Sequence, residues 1–98
     1  MSERGIWAKV ILNIKESGFM DLHSLCVDIA TVAVNDGNFY IYSNNQDAVN
    51  QLNTQPFYTN LVASFTTIGY NYNIVVMYRP TTQDLEAQKI AELSKVLG

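Results

Sequence analysis

His23 is the one imidazole in the chain and the side chain best suited to move protons near neutral pH. It stands between Asp21 and Asp28, and a histidine beside a carboxylate can serve as a general base. Neither neighbour brings an evident nucleophile, so the spacing reads as a surface histidine. Cys26 is the single cysteine, which rules out an internal disulfide, and it reads as a small core residue rather than a reactive thiol. One histidine and one cysteine make no zinc constellation. Asp21, Asp28, Asp36 and Asp47 lack the spacing of a calcium loop and read as caps and solvated carboxylates. The chain carries no P-loop, no G-x-G-x-x-G, no G-x-S-x-G and no C-x-x-C. The expectation is a domain without catalytic residues, cofactor or metal.

The aromatic residues say more. In Ala30 to Ser43, two runs of β-favouring residues flank Asn35-Asp36-Gly37-Asn38, and Asp36 and Gly37 suit the positive φ of a type I′ turn. A two-residue loop sets Val34 opposite Phe39 and Val32 opposite Ile41 on one face, with Ala33 opposite Tyr40 and Thr31 opposite Tyr42 on the other. Tyr70, Tyr72 and Tyr78 share one side of a third strand. Tyrosine brings large contact area at small entropic cost, so a tyrosine-lined sheet face is a candidate protein interface. Tyr40, Tyr42 and Tyr72 are its members, and Trp7 is either a core anchor or a partly exposed hot spot. The competing reading has the last helix covering this face.

The elements that position these residues follow from periodicity. Ser2 or Glu3 caps a helix to about Glu16, with Ile6, Trp7, Val10, Ile11 and Ile14 as one stripe and Gly18 as its stop. A shorter helix runs from Met20 or Asp21 to Asp28, with Asp21 as cap. After the hairpin, Ser43-Asn44-Asn45 caps a helix over about Gln46 to Leu52. Pro56 then opens another, in which Phe57, Leu61, Val62, Phe65 and Ile68 face inward and Gly69 ends the run. The third strand is expected over Tyr70 to Arg79 and stops at Pro80. A last helix over residues 83–97, capped by Thr81 or Thr82, carries Leu85, Ile90, Leu93 and Leu97. The fold class is therefore α+β: helices packed on a three-stranded sheet in the order α-α-β-β-α-β-α, with the second helical stretch broken near Asn53 to Gln55.

Ninety-eight residues, 48% hydrophobic and 15% charged, make one ordinary globular domain, with the core over residues 5–80. No apolar run approaches the roughly 20 residues of a membrane span and no signal peptide opens the chain, so a cytoplasmic location is expected. The net charge is −3 and the six lysines and arginines are scattered. Polyanion affinity rests on clustered cations, so direct nucleic-acid binding is disfavoured.

The tryptophan-bearing opening IWAKVILNIKESGFMDLHSLC and the run DGNFYIYSNNQDAVNQL leading into the third helix resemble a family of small replication modules. The pattern looks most like the C-terminal domain of the bacterial DNA polymerase III gamma/tau subunit. A domain of similar fold, K-homology-like without the nucleic-acid loop, opens the replication initiator DnaA. The resemblance covers roughly Ile6 to Arg79. It rests on Trp7 with Val10 and Ile14, on Leu22 and Leu25, on the Asp36-Gly37 turn before Phe39 and Ile41, and on a strand after Gly69. It implies a non-catalytic protein-interaction domain, a fragment of a longer protein, tethering the clamp loader to the polymerase III catalytic subunit or another replication protein. The DnaA-like alternative implies docking to the replicative helicase or self-association. Single-strand nucleic-acid binding, and an enzymatic or small-molecule site at His23, are the readings from other classes.

Overall fold

A computed structural model describes residues 2–80. The helix read over residues 83–97, its cap and its apolar stripe lie outside the described residues. The chain runs α1 (Glu3–Glu16), α2 (Met20–Cys26), β1 (Thr31–Asn35), β2 (Asn38–Ser43), α3 (Gln46–Leu52), α4 (Phe57–Thr67) and β3 (Asn73–Tyr78). It is an α+β fold with a mixed sheet in the order β1-β2-β3, β1 antiparallel and β3 parallel to the central β2.

Local chemistry accounts for most boundaries. Ser2 Oγ accepts from the Gly5 amide at 3.2 Å and starts α1. At its other end Gly18 takes φ +82°, the Gly18 amide donates to the Lys15 carbonyl and the Phe19 amide to the Ile14 carbonyl. That paired closure is the Schellman motif, and it turns the chain back into α2. The same closure ends α4, where Gly69 at φ +93° donates to Thr66 and Tyr70 donates to Phe65. Between β1 and β2, Asp36 at φ +51° and Gly37 at φ +78° form the tight turn. The register is Thr31↔Tyr42, Val32↔Ile41, Ala33↔Tyr40 and Val34↔Phe39, as the two-residue loop requires. Asn45 Oδ1 caps α3 by accepting from the Ala48 amide at 3.2 Å.

Three boundaries depart from the sequence reading. Phe19 rather than Asp21 occupies the cap position of α2, with no side-chain bond, and Asp21 lies in the first turn, where its charge favours the helix dipole. The helix also ends at Cys26, two residues short of Asp28. The third strand begins at Asn73, because Tyr70 is consumed in closing α4.

The buried residues of all four helices join one core with the sheet. Ile6, Trp7, Val10 and Ile14 of α1 meet Leu22 and Cys26 of α2, Val49 and Leu52 of α3, and Leu61 and Phe65 of α4, over Phe39, Ile41, Ile74 and Val76. The centre is aromatic: Phe39 and Phe65 pack edge to face at 4.8 Å, with Trp7 6.3 Å from each. Side chains alternate along a strand, so the residues between these β positions form a second sheet face, and no helix among the described residues packs there.

Candidate functional site: the tyrosine face of the sheet

The second face is built from β2 outward. Tyr40 and Tyr42 stand two residues apart on the central strand, and their rings stack with centroids 6.1 Å apart and planes 10° from parallel. The parallel pairing aligns Tyr40 with Val75 and Tyr42 with Met77, while Ala33 and Thr31 flank them from β1. Val75 and Ala33 are half-buried, and Met77 is 44% exposed.

Polar groups hold both ends of the tyrosine row. At one end Asn73 Nδ2 donates to Asn38 Oδ1 at 2.9 Å, and Asn38 Nδ2 reaches the Tyr40 hydroxyl at 3.4 Å. At the other, the Arg79 guanidinium lies 5.3 Å from the centroid of the Tyr42 ring, a cation–π arrangement. The Arg79 amide donates to the Ser43 carbonyl at 2.8 Å, so the end of β3 carries this side chain to Tyr42. Tyr42 and Arg79 line a groove of about 740 Å³ together with Thr31 and with Ser24, Leu25, Asp28 and Ile29. The face offers stacked aromatic surface, one cation and an adjoining groove, which is recognition chemistry.

The residues read as interface candidates divide. Tyr40 and Tyr42 lie on the face that the described helices leave free, half-buried. Tyr72 does not join them. It precedes β3 in phase with Ile74, which pairs with Phe39, and its ring lies 5.7 Å from Phe39 and stacks on Tyr70 at 5.9 Å. Tyr78 is likewise in phase with the core side, opposite Ser43. Trp7 is 4% exposed, and its indole N–H donates to the Ile29 carbonyl at 2.8 Å. It is a core anchor and offers no surface to a partner. Asn38, Asn73, Val75, Met77 and Arg79 belong to the site and were absent from the sequence-derived candidates. Their signal is the alternation of Asn73, Val75, Met77 and Arg79, which assigns a face only once β3 is known to pair with β2 in parallel.

The groups suited to chemistry do not converge. Among the described residues, no three of His, Cys, Asp and Glu come together as metal ligands would. Cys26 is fully buried, and desolvation pushes its thiol up to about 12 from 9.0, so at neutral pH it is an unreactive thiol. His23 is half-buried on the outer side of α2. No helix of the described residues is long and apolar enough to cross a membrane. Comparison of the chain with family models, curated proteins and solved structures found no match.

Proposed function

We propose that this chain is a non-catalytic protein-docking domain whose contact surface is the face of Tyr40, Tyr42, Met77 and Arg79. The supporting observation is the stacked pair with Arg79 over Tyr42, left uncovered by the four helices. Tyrosine and arginine are the residues on which interface energy concentrates, and methionine adapts to a partner's shape. The ordered ends of the row reduce the entropy a partner must remove on binding.

The resemblance of the sequence to the gamma/tau C-terminal domain supplies the partner: the catalytic subunit of DNA polymerase III from the same cell, in the cytoplasm. Calorimetric titration of the two is expected to give binding at micromolar concentrations, and Tyr42→Ala to weaken it by at least about 30-fold, as a central hot spot does. Tyr42 lies outside the hydrophobic core, so circular dichroism of the variant should match the parent. No heat at micromolar concentrations overturns the assignment of partner, and full-strength binding by Tyr42→Ala together with Arg79→Ala overturns the assignment of surface.

Stacking of single-stranded bases on Tyr40 and Tyr42 is a second reading, favoured by the same ring geometry and by Arg79. The net charge of −3 weighs against it, since a stacking platform needs a cationic groove to follow the phosphates. It predicts salt-dependent quenching of tyrosine emission by single-stranded DNA.

A further inference from the structure

The two edges of the sheet differ. The amides of Asn73 and Arg79 donate to Gly37 and Ser43, so the odd positions of β3 turn toward β2 and the even ones outward. Two of those outward carbonyls are occupied by side chains: the Tyr58 hydroxyl donates to the Ile74 carbonyl at 2.8 Å, and Asn53 Nδ2 to the Val76 carbonyl at 3.2 Å. This edge is closed by the helical segment that crosses it.

Among the described residues no side chain donates to the β1 edge. A two-residue turn makes Asn35 and Asn38 a hydrogen-bonded pair, and the alternation then makes Ala33/Tyr40 and Thr31/Tyr42 the next bonded pairs. The peptide groups of Val32 and Val34 therefore point away from β2. Among the described residues no strand lies beyond β1. The segment Thr31–Asn35, TVAVN, contains none of the devices that guard an edge: no lysine, no other charge and no proline.

We infer that a second copy of this chain pairs with the β1 edge, antiparallel about a two-fold axis at Ala33, to give a continuous six-stranded sheet. The edge is self-complementary in this register. Val32 of each copy meets Val34 of the other as a hydrogen-bonded pair, which supplies about four N–H···O bonds. Ala33 meets Ala33 at the closer, non-bonded position, where a small side chain fits. Thr31 meets Asn35 of the other copy, polar against polar, and no charge is brought onto the edge of a chain that carries −3. The contact is a five-residue edge, so the dimer is weak and dependent on concentration, of the class below about 1,200 Å² of buried surface. It makes no use of the tyrosine side chains and does not depend on what binds that face.

Sedimentation equilibrium of the full chain from about 10 µM to about 1 mM spans the range expected for such an interface and should give a mass rising toward twice the monomer. The double variant Thr31→Lys with Asn35→Lys replaces two exposed side chains and sets like charges opposite each other across the axis. It should stay monomeric over the whole range, with its unfolding midpoint at low concentration unchanged. Register has its own readout: Ala33→Cys places two thiols across the axis at a separation a disulfide spans, whereas Asp36→Cys at the hairpin tip does not. Under mild oxidation Ala33→Cys should cross-link and Asp36→Cys should not, with the buried Cys26 unreactive in both. A parent chain monomeric throughout, a dimer that survives the lysine pair, or equal cross-linking at positions 33 and 36 overturns the inference.

Discussion

Replacing Trp7 by phenylalanine tests the centre of the fold and the division between core and interface. Trp7 spans the aromatic core, 6.3 Å from both Phe39 and Phe65, and its N–H donates to the Ile29 carbonyl in the connection between α2 and β1. Phenylalanine keeps an aromatic ring there but removes the donor. The buried carbonyl then loses its partner, at a cost of about 1–3 kcal/mol. The smaller ring leaves a void of roughly 40 Å³, which at about 24 cal/mol per Å³ adds about 1 kcal/mol. The expected loss is thus about 2–4 kcal/mol, against a total stability of about 5–15 kcal/mol for a domain of this size. Each kcal/mol lowers the melting temperature by about 4–8 °C, so a fall of roughly 8–32 °C is expected. Trp7 is the only tryptophan, so unfolding in urea should be followed by far-ultraviolet circular dichroism rather than by indole emission. The parent's emission should itself be blue-shifted and protected from acrylamide. A loss below about 1 kcal/mol would refute the reasoning, because it would mean that the ring is neither packed nor bonded as described.

Two further outcomes follow from single residues. Gly37→Ala should cost about 1–2 kcal/mol, since φ of +78° penalises any Cβ while nothing lies within 4 Å for it to strike, and Gly37→Asn should cost less; urea midpoints of the two variants check both. Because the Cys26 thiol is raised in the folded chain from 9.0 to about 12, its contribution to stability is full below pH 9 and is lost as pH climbs toward 12; at pH 10 the loss is about 1.4 kcal/mol. That increment should be missing from the pH profile of Cys26→Ala, and labelling of the native thiol at pH 8 should be slower than that of the unfolded chain by about three orders of magnitude.

Local structure was legible wherever one residue type had one thing to do. Asp36-Gly37 set the hairpin and with it every β1/β2 pair, Gly18 and Gly69 ended their helices, and Asn45 capped α3. The stripes in α1 and α4 named the core from both sides. Asp21 misled because a helix can begin on backbone closure alone: the Schellman turn at Gly18 delivers Phe19 to the cap position and leaves the carboxylate two residues further in, within the first turn. The same economy shortened β3, whose alternating pattern runs back to Tyr70 while that residue's amide is already committed to Phe65.

The site was harder to read than the fold because it depends on which face of β3 joins which face of the hairpin. The strand alternates two apolar sets, Ile74 and Val76 against Val75 and Met77, and neither hydrophobicity nor tyrosine content separates them. The crossover through α3 and α4 separates them, because it brings β3 in parallel with Ile74 on Phe39 and Val76 on Ile41. That register moves Tyr72 and Tyr78 to the helical side and brings Arg79 over Tyr42. A shift of one residue along β3 would reverse the outcome, setting Ile74 and Val76 beside Tyr40 and Tyr42 and turning Val75 and Met77 toward the helices. The shift would also take Arg79 away from the Tyr42 ring. The contact between Arg79 and Tyr42 is thus a consequence of the parallel crossover, which neither residue announces in the sequence.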